Sequence, residues 1–185
     1  MQNIFSTGIE VYDLKGIDNE KLIDYAEKYS LRNQKKDHFD ILNNSIFSTL
    51  NSTVEIKMND YFNQIYNEKY KIKITEAWAN VDNDELIRMP HHHKEHFTVA
   101  VYYPLSTDGI ISFLNPMPAL TAHSKDFDMI DKFNEYNSDF YSLPVNTGQL
   151  VVFNSMLYHY INGAKEKRIS IAYNGSLVKN KNYVS

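Results

Sequence analysis

The segment His91-His92-His93-Lys94-Glu95-His96 gathers four imidazoles and a carboxylate directly ahead of an apolar run from Phe97 to Tyr103. Side chains two apart on a strand project to the same side, so His91 and His93 can hold one metal ion between them. Far along the chain a lone His159 is followed nine residues later by Arg168. A third imidazole from a distant strand would complete one face of the ion, and three protein ligands with open positions make a reaction site rather than a structural one. On the last strand Arg168, Ser170, Ala172 and Asn174 alternate with Ile169, Ile171 and Tyr173. The apolar set packs outward, which leaves a guanidinium and a hydroxyl facing inward. A buried guanidinium is costly unless an anion pairs with it, and its planar fork suits a carboxylate. The residues thus ask for a metal and an acid together. A purely structural alternative pairs Arg168 with Glu76 or Glu95 and makes His159 a hydrogen-bonded sheet-edge histidine.

Several elements must position these groups. After a short extended start around Ile4 to Leu14, Asp18 has the character of a helix N-cap, with Leu22, Tyr25, Ala26 and Tyr29 at helical spacing behind it. A second, longer helix is predicted by Phe47, Leu50, Val54, Met58, Tyr61 and Ile65. From Lys71 onward strand-like runs take over: 72–80, 97–103, 110–114, 149–153, 157–161 and 168–173, broken at Asp108-Gly109, Asn146-Thr147-Gly148 and Asn162-Gly163. Helices first and many short strands after predict an α+β chain whose core is a jelly-roll, cupin-like double-sheet barrel. The expected organisation is one domain over 1–185, with 1–70 mainly helical support, 71–175 the barrel, and 117–143 a candidate lid in which Phe127, Ile130 and Phe133 mark a short helix.

Composition narrows the chemistry. With no cysteine, disulfides, thiolate metal sites and thiol catalysis are excluded, so a metal must be held by nitrogen and oxygen. The formal charge of −4 carries no basic stripe, which leaves nucleic acid unsupported as a partner. No apolar stretch reaches the roughly 20 residues of a membrane helix, and the N-terminus lacks the segments of a secretory signal, so a soluble, cytoplasmic protein is expected.

His91-x-His93 ahead of Val101-Tyr102-Tyr103, the run Gly109-Ile110-Ile111-Ser112-Phe113-Leu114-Asn115-Pro116, the run Gly148 to His159, and Arg168-Ile169-Ser170-Ile171-Ala172-Tyr173-Asn174 together resemble the iron(II)/2-oxoglutarate-dependent oxygenases of prolyl hydroxylase-like type. More narrowly, they and Trp78-Ala79-Asn80 are similar to a group of such oxygenases found in bacteria and marine phages. The resemblance covers roughly residues 70–175. It implies a double-stranded β-helix that holds iron(II) with His91, His93 and His159. It also implies that Arg168, helped by Ser170 and Tyr103, binds the distal carboxylate of 2-oxoglutarate, with Asn80 within reach of cosubstrate or substrate. The implied reaction consumes O2 and 2-oxoglutarate, releases succinate and CO2, and hydroxylates a small-molecule or peptide substrate.

One position departs from the family. Most members use His-x-Asp or His-x-Glu, whereas the ungapped match here gives His-x-His, and a shifted register would pair His93 with Glu95. An all-imidazole set leaves the ion more positive and weakens its discrimination against zinc or nickel. His92 and His96 are read as non-ligands, His96 as a pocket residue, and His123 stays open. The competing functions are a cupin-like metal enzyme that does not use 2-oxoglutarate and a non-catalytic jelly-roll binding module.

Overall fold

The computed structural model describes residues 7–32, 40–82, 88–118, 132–134, 137–162 and 165–183. Its elements are β1 (Ile9–Asp13), α1 (Asn19–Arg32), α2 (Asp40–Asn43), a 3-10 turn (Ser45–Phe47), α3 (Ser48–Asn63), β2 (Tyr70–Asp82), β3 (Arg88–His91), β4 (Thr98–Leu105), β5 (Gly109–Leu114), β6 (Phe140–Val145), β7 (Gln149–Asn154), β8 (His159–Asn162) and β9 (Arg168–Lys179). The described strands make two antiparallel sheets, ordered β1-β7-β4-β9-β2 and β3-β8-β5-β6.

The larger sheet is covered on both faces, and strand alternation sorts its side chains. On β4, Ala100 and Tyr102 face the helices while Val99, Val101 and Tyr103 face the smaller sheet. On β7, Leu150 and Val152 divide from Val151 and Phe153 in the same way. The helical layer contributes Leu22 from α1 and Leu50, Val54, Met58, Tyr61 and Phe62 from α3, at the three- and four-residue spacing of a buried stripe. Two hydroxyls lock the helices onto the sheet: Tyr102 donates to Asn19 at 2.7 Å and Tyr173 to Asn51 at 3.0 Å. Asp18 caps α1 as expected, its Oδ1 accepting from the Lys21 N–H. Ile65, expected to continue the α3 stripe, lies beyond its end and is exposed.

β2 is an edge strand, and α3 satisfies it. Asn59 accepts from the Ile72 N–H at 2.8 Å and donates to the Ile72 carbonyl at 2.9 Å, and Glu55 accepts from the Ile74 N–H at 3.1 Å. The helix therefore occupies the place of a further strand and blocks the edge against pairing with another chain. Between Ile74 and Glu76 the β2/β9 register slips by one residue. Ile72 and Ile74 face the helices before this bulge, and Ala77 and Ala79 do so after it. The slip thereby turns Glu76, Trp78, Asn80 and Asp82 toward the space between the sheets.

Two strands were not predicted, β3 and β6, which form the edges of the smaller sheet. β6 takes residues 140–143 out of the expected lid; of the remainder, 119–131 and 135–136, with Phe127, Ile130 and His123, lie outside the described residues, and Phe133 is exposed and in no helix. No described helix is long and apolar enough to cross a membrane.

Candidate active site

His91 ends β3 directly opposite His159, which begins β8, so two imidazoles meet across adjacent strands with ring centroids 4.4 Å apart. The expectation that His91 and His93 sit on one strand is corrected: β3 stops at His91, and His93 follows outside it, held by its N–H donating to the Ser155 carbonyl at 2.8 Å. Its ring lies nearly parallel to His159 at 5.2 Å and stacks on Trp78 at 5.9 Å. One nitrogen from each of His91, His93 and His159 lies within 4.8 Å of the other two. Among the described residues this trio is the one metal-capable cluster, and Glu95, exposed at the pocket mouth, is not part of it.

The backbone prepares two of these rings for a metal. Nδ1 of His91 lies 3.0 Å from the Met89 carbonyl, and Nδ1 of His159 lies 3.0 Å from the Leu157 carbonyl. A carbonyl only accepts, so each Nδ1 carries the proton and each Nε2 keeps its lone pair for an ion. Burial, followed by the neighbouring His91, lowers the pKa of His93 to about 4, and burial lowers that of His159 to about 3. Both rings are neutral near pH 7, the state in which imidazole binds a metal.

The triad opens into a cavity of about 440 Å³ whose lining includes Trp78, Asn80, Tyr103, Ile111, Ser170 and Asn174. Deeper in, Arg168 and Asp82 face each other across β9 and β2, 1% and 3% exposed, with Nη2 of the arginine 2.7 Å from Oδ2 of the aspartate. The expected alternatives for this ion pair, Glu76 and Glu95, are thus replaced by Asp82. Arg168 does not line the cavity wall itself, yet among the described residues its Nε and Nη1 have no partner, and the buried Tyr103 hydroxyl has none either. Burial also pushes the Tyr103 pKa up, keeping the phenol protonated as a donor. Gly109 makes room for the arginine: a methyl there would overlap Ser106 Oγ and come within 3.0 Å of Arg168 Cδ.

Residues 76–174, more than half of the chain, match a family model described as "Putative 2OG-Fe(II) oxygenase", where 2OG is 2-oxoglutarate. The chain belongs to this oxygenase family. Among curated proteins none matches significantly. The fold is similar to SnoN, a non-heme α-ketoglutarate-dependent epimerase from nogalamycin biosynthesis (10% identity, TM-score 0.66, 94% of this chain and 81% of that one). It is also similar to HygX from Streptomyces hygroscopicus, crystallised with nickel and 2OG (10%, 0.61, 92% and 83%), and to a prolyl-4-hydroxylase from Pseudomonas putida (14%, 0.58, 92% and 89%). The expected α+β jelly-roll of double-stranded β-helix type is therefore the observed fold.

Iron and 2OG are the cofactors of this oxygenase family, and the residues present fit both. Three imidazoles converge with lone pairs available, and a buried guanidinium and phenol carry donors that nothing among the described residues satisfies. The structure brings together His91, His93, His159, Tyr103, Ser170 and Asn80 around one cavity, with Arg168 behind it. His96 lines that cavity as expected, and His92 packs edge-on against Tyr158 instead of joining the triad. Sequence reasoning missed Asp82, although its place two residues past Asn80 on the Trp78 face was the available signal.

Proposed function

We propose that the protein is a hydroxylase of small molecules or peptides, with His91, His93 and His159 as iron ligands and with Arg168, Tyr103, Ser170 and Asn80 binding 2OG. The observation that carries this reading is the meeting of a neutral imidazole triad with unsatisfied buried donors beside one cavity. Bound iron supplies the oxidising chemistry: one atom of O2 enters the substrate C–H bond as C–OH, the other enters succinate, and CO2 leaves.

The chain's own residues bind and orient. Asp82 fixes Arg168 through Nη2, leaving a further guanidinium N–H, Nε or Nη1, to meet the distal carboxylate of 2OG with the Tyr103 hydroxyl. Asn80 donates to Ser170 Oγ at 3.4 Å, so the serine proton is left to point at the same carboxylate. Val99, Val101, Ile111 and Ala172 line the remaining wall and exclude water, which strengthens each of these contacts. The proposed unit is the whole chain as one oxygenase domain, working in the reducing cytoplasm where iron(II) persists.

The all-imidazole triad alone also suits a cupin-like metal enzyme without 2OG, but such an enzyme gives the unpartnered Arg168 and Tyr103 donors nothing to bind. Adding iron(II) and 2OG anaerobically tests the choice. A visible charge-transfer band that vanishes in His159→Ala is expected, and its absence at saturating 2OG would overturn the reading.

A further inference from the structure

Cofactor binding uses the inner part of the β2/β9 face, and the outer end of the same face carries a second polar group. Across the two strands Asp82 pairs with Arg168, Asn80 with Ser170, Trp78 with Ala172, and Glu76 with Asn174. Asn174 is 3% exposed, and its Nδ2 donates to Glu76 Oε2 at 2.7 Å. A carboxylate only accepts, so this bond fixes the orientation of the amide. Asn174 Oδ1 is left buried with no partner among the described residues, in a residue that lines the cavity. Beside it the Glu76 carboxylate, one-third exposed, lines the same cavity and faces His96 Nε2 at 3.2 Å. Lys94 and Glu95 line the same cavity with opposite charges, so the buried Asn174 Oδ1 and the Glu76 carboxylate are the acceptors this end presents.

We propose that Glu76 and Asn174 form the substrate subsite of the oxygenase and that it takes a protonated amine. The proposal rests on the oxygenase reading above and adds the substrate's chemical class. An ammonium group has several N–H donors and a positive charge, so it satisfies Asn174 Oδ1 and the Glu76 carboxylate at once. A hydroxyl supplies one donor and no charge, and a substrate carboxylate is repelled. Trp78 connects this subsite to the metal centre, because it follows Glu76 by two residues on the same face and stacks on His93. Two residues of strand span about 7 Å, so the oxidised carbon lies a few bonds from the anchored nitrogen.

The test uses protein loaded with nickel(II) and N-oxalylglycine, an unreactive 2OG analogue, and the probes n-butylammonium, 1-butanol and butyrate, followed by ligand-observed NMR. Saturable low-millimolar binding of butylammonium alone is expected. Glu76→Gln should weaken it about tenfold, equivalent to about 1.4 kcal/mol, and Glu76→Lys should abolish it and admit butyrate. No binding of butylammonium, equal binding of butanol, or affinity unchanged in both variants would overturn the proposal. The rise in melting temperature on adding N-oxalylglycine reports separately on the 2OG assignment and on folding, and it should survive both substitutions. Its absence in the unsubstituted protein would sink the oxygenase reading whatever the amine does.

Discussion

The two ends of the β2/β9 ladder differ in what they leave unpaired. At the inner end, Arg168 and Tyr103 hold surplus donors in nearly complete burial; at the outer end, Glu76 and Asn174 hold surplus acceptors beside solvent. The six steps of strand from Glu76 to Asp82 span about 20 Å, long enough to keep an anionic cosubstrate and a cationic substrate apart. The proposed metal ligands from β3, the chain after it, and β8 sit against the middle, where Trp78 stacks on His93. In the proposed assignment one pair of strands sorts two ligands by charge, and depth sets how much each contact is worth.

Depth predicts the largest effect. Asp82→Ala strands a buried guanidinium and should cost about 3–5 kcal/mol in denaturant unfolding. Glu76→Gln, at the exposed end, should cost less than about 1 kcal/mol. Equal losses would erase the difference between the ends. Next, Arg168→Lys keeps the charge but removes the fork, and should weaken 2OG binding by about 1.5–3 kcal/mol by calorimetry while metal content stays unchanged. Gly109→Ala forces Ser106 and the Arg168 side chain to shift and should cost about 1–3 kcal/mol, with 2OG affinity falling and amine affinity unmoved.

Acid should act through the metal centre instead of either end. The folded pKa values of His93, about 4, and His159, about 3, lie below the ordinary 6.5. Below about pH 6.5 the unfolded chain takes up protons that the folded chain refuses, so these two groups make metal-free stability fall as pH drops, until the folded values are reached. Melting temperatures of the apo protein between pH 7 and pH 4 check the sign. An apo protein that gains stability over that interval would contradict the burial of these rings.

The sequence carried the central features through spacing. Alternation on β9 separated Arg168, Ser170 and Asn174 from Ile169, Ile171 and Tyr173, and the structure keeps that division. The histidines were legible because three of them flank strands that the apolar pattern already marked. β3 and β6 escaped notice because each contains a proline, Pro90 or Pro144, which argues against a strand yet is tolerated at a sheet edge. The bulge after Ile74 was also hidden, since a single slip in register leaves no trace in local composition. Asp82 as the partner of Arg168 depends on that register, as does the pairing of Glu76 with Asn174.

The most direct test of this account is a crystal structure with nickel and 2OG bound, read for the contacts of each end of the cosubstrate. Nickel is expected on His91, His93 and His159, with the distal carboxylate within hydrogen-bond distance of Arg168 and Tyr103. Glu95 in the coordination sphere in place of His91, or the carboxylate seated at Glu76 and Asn174, would contradict it.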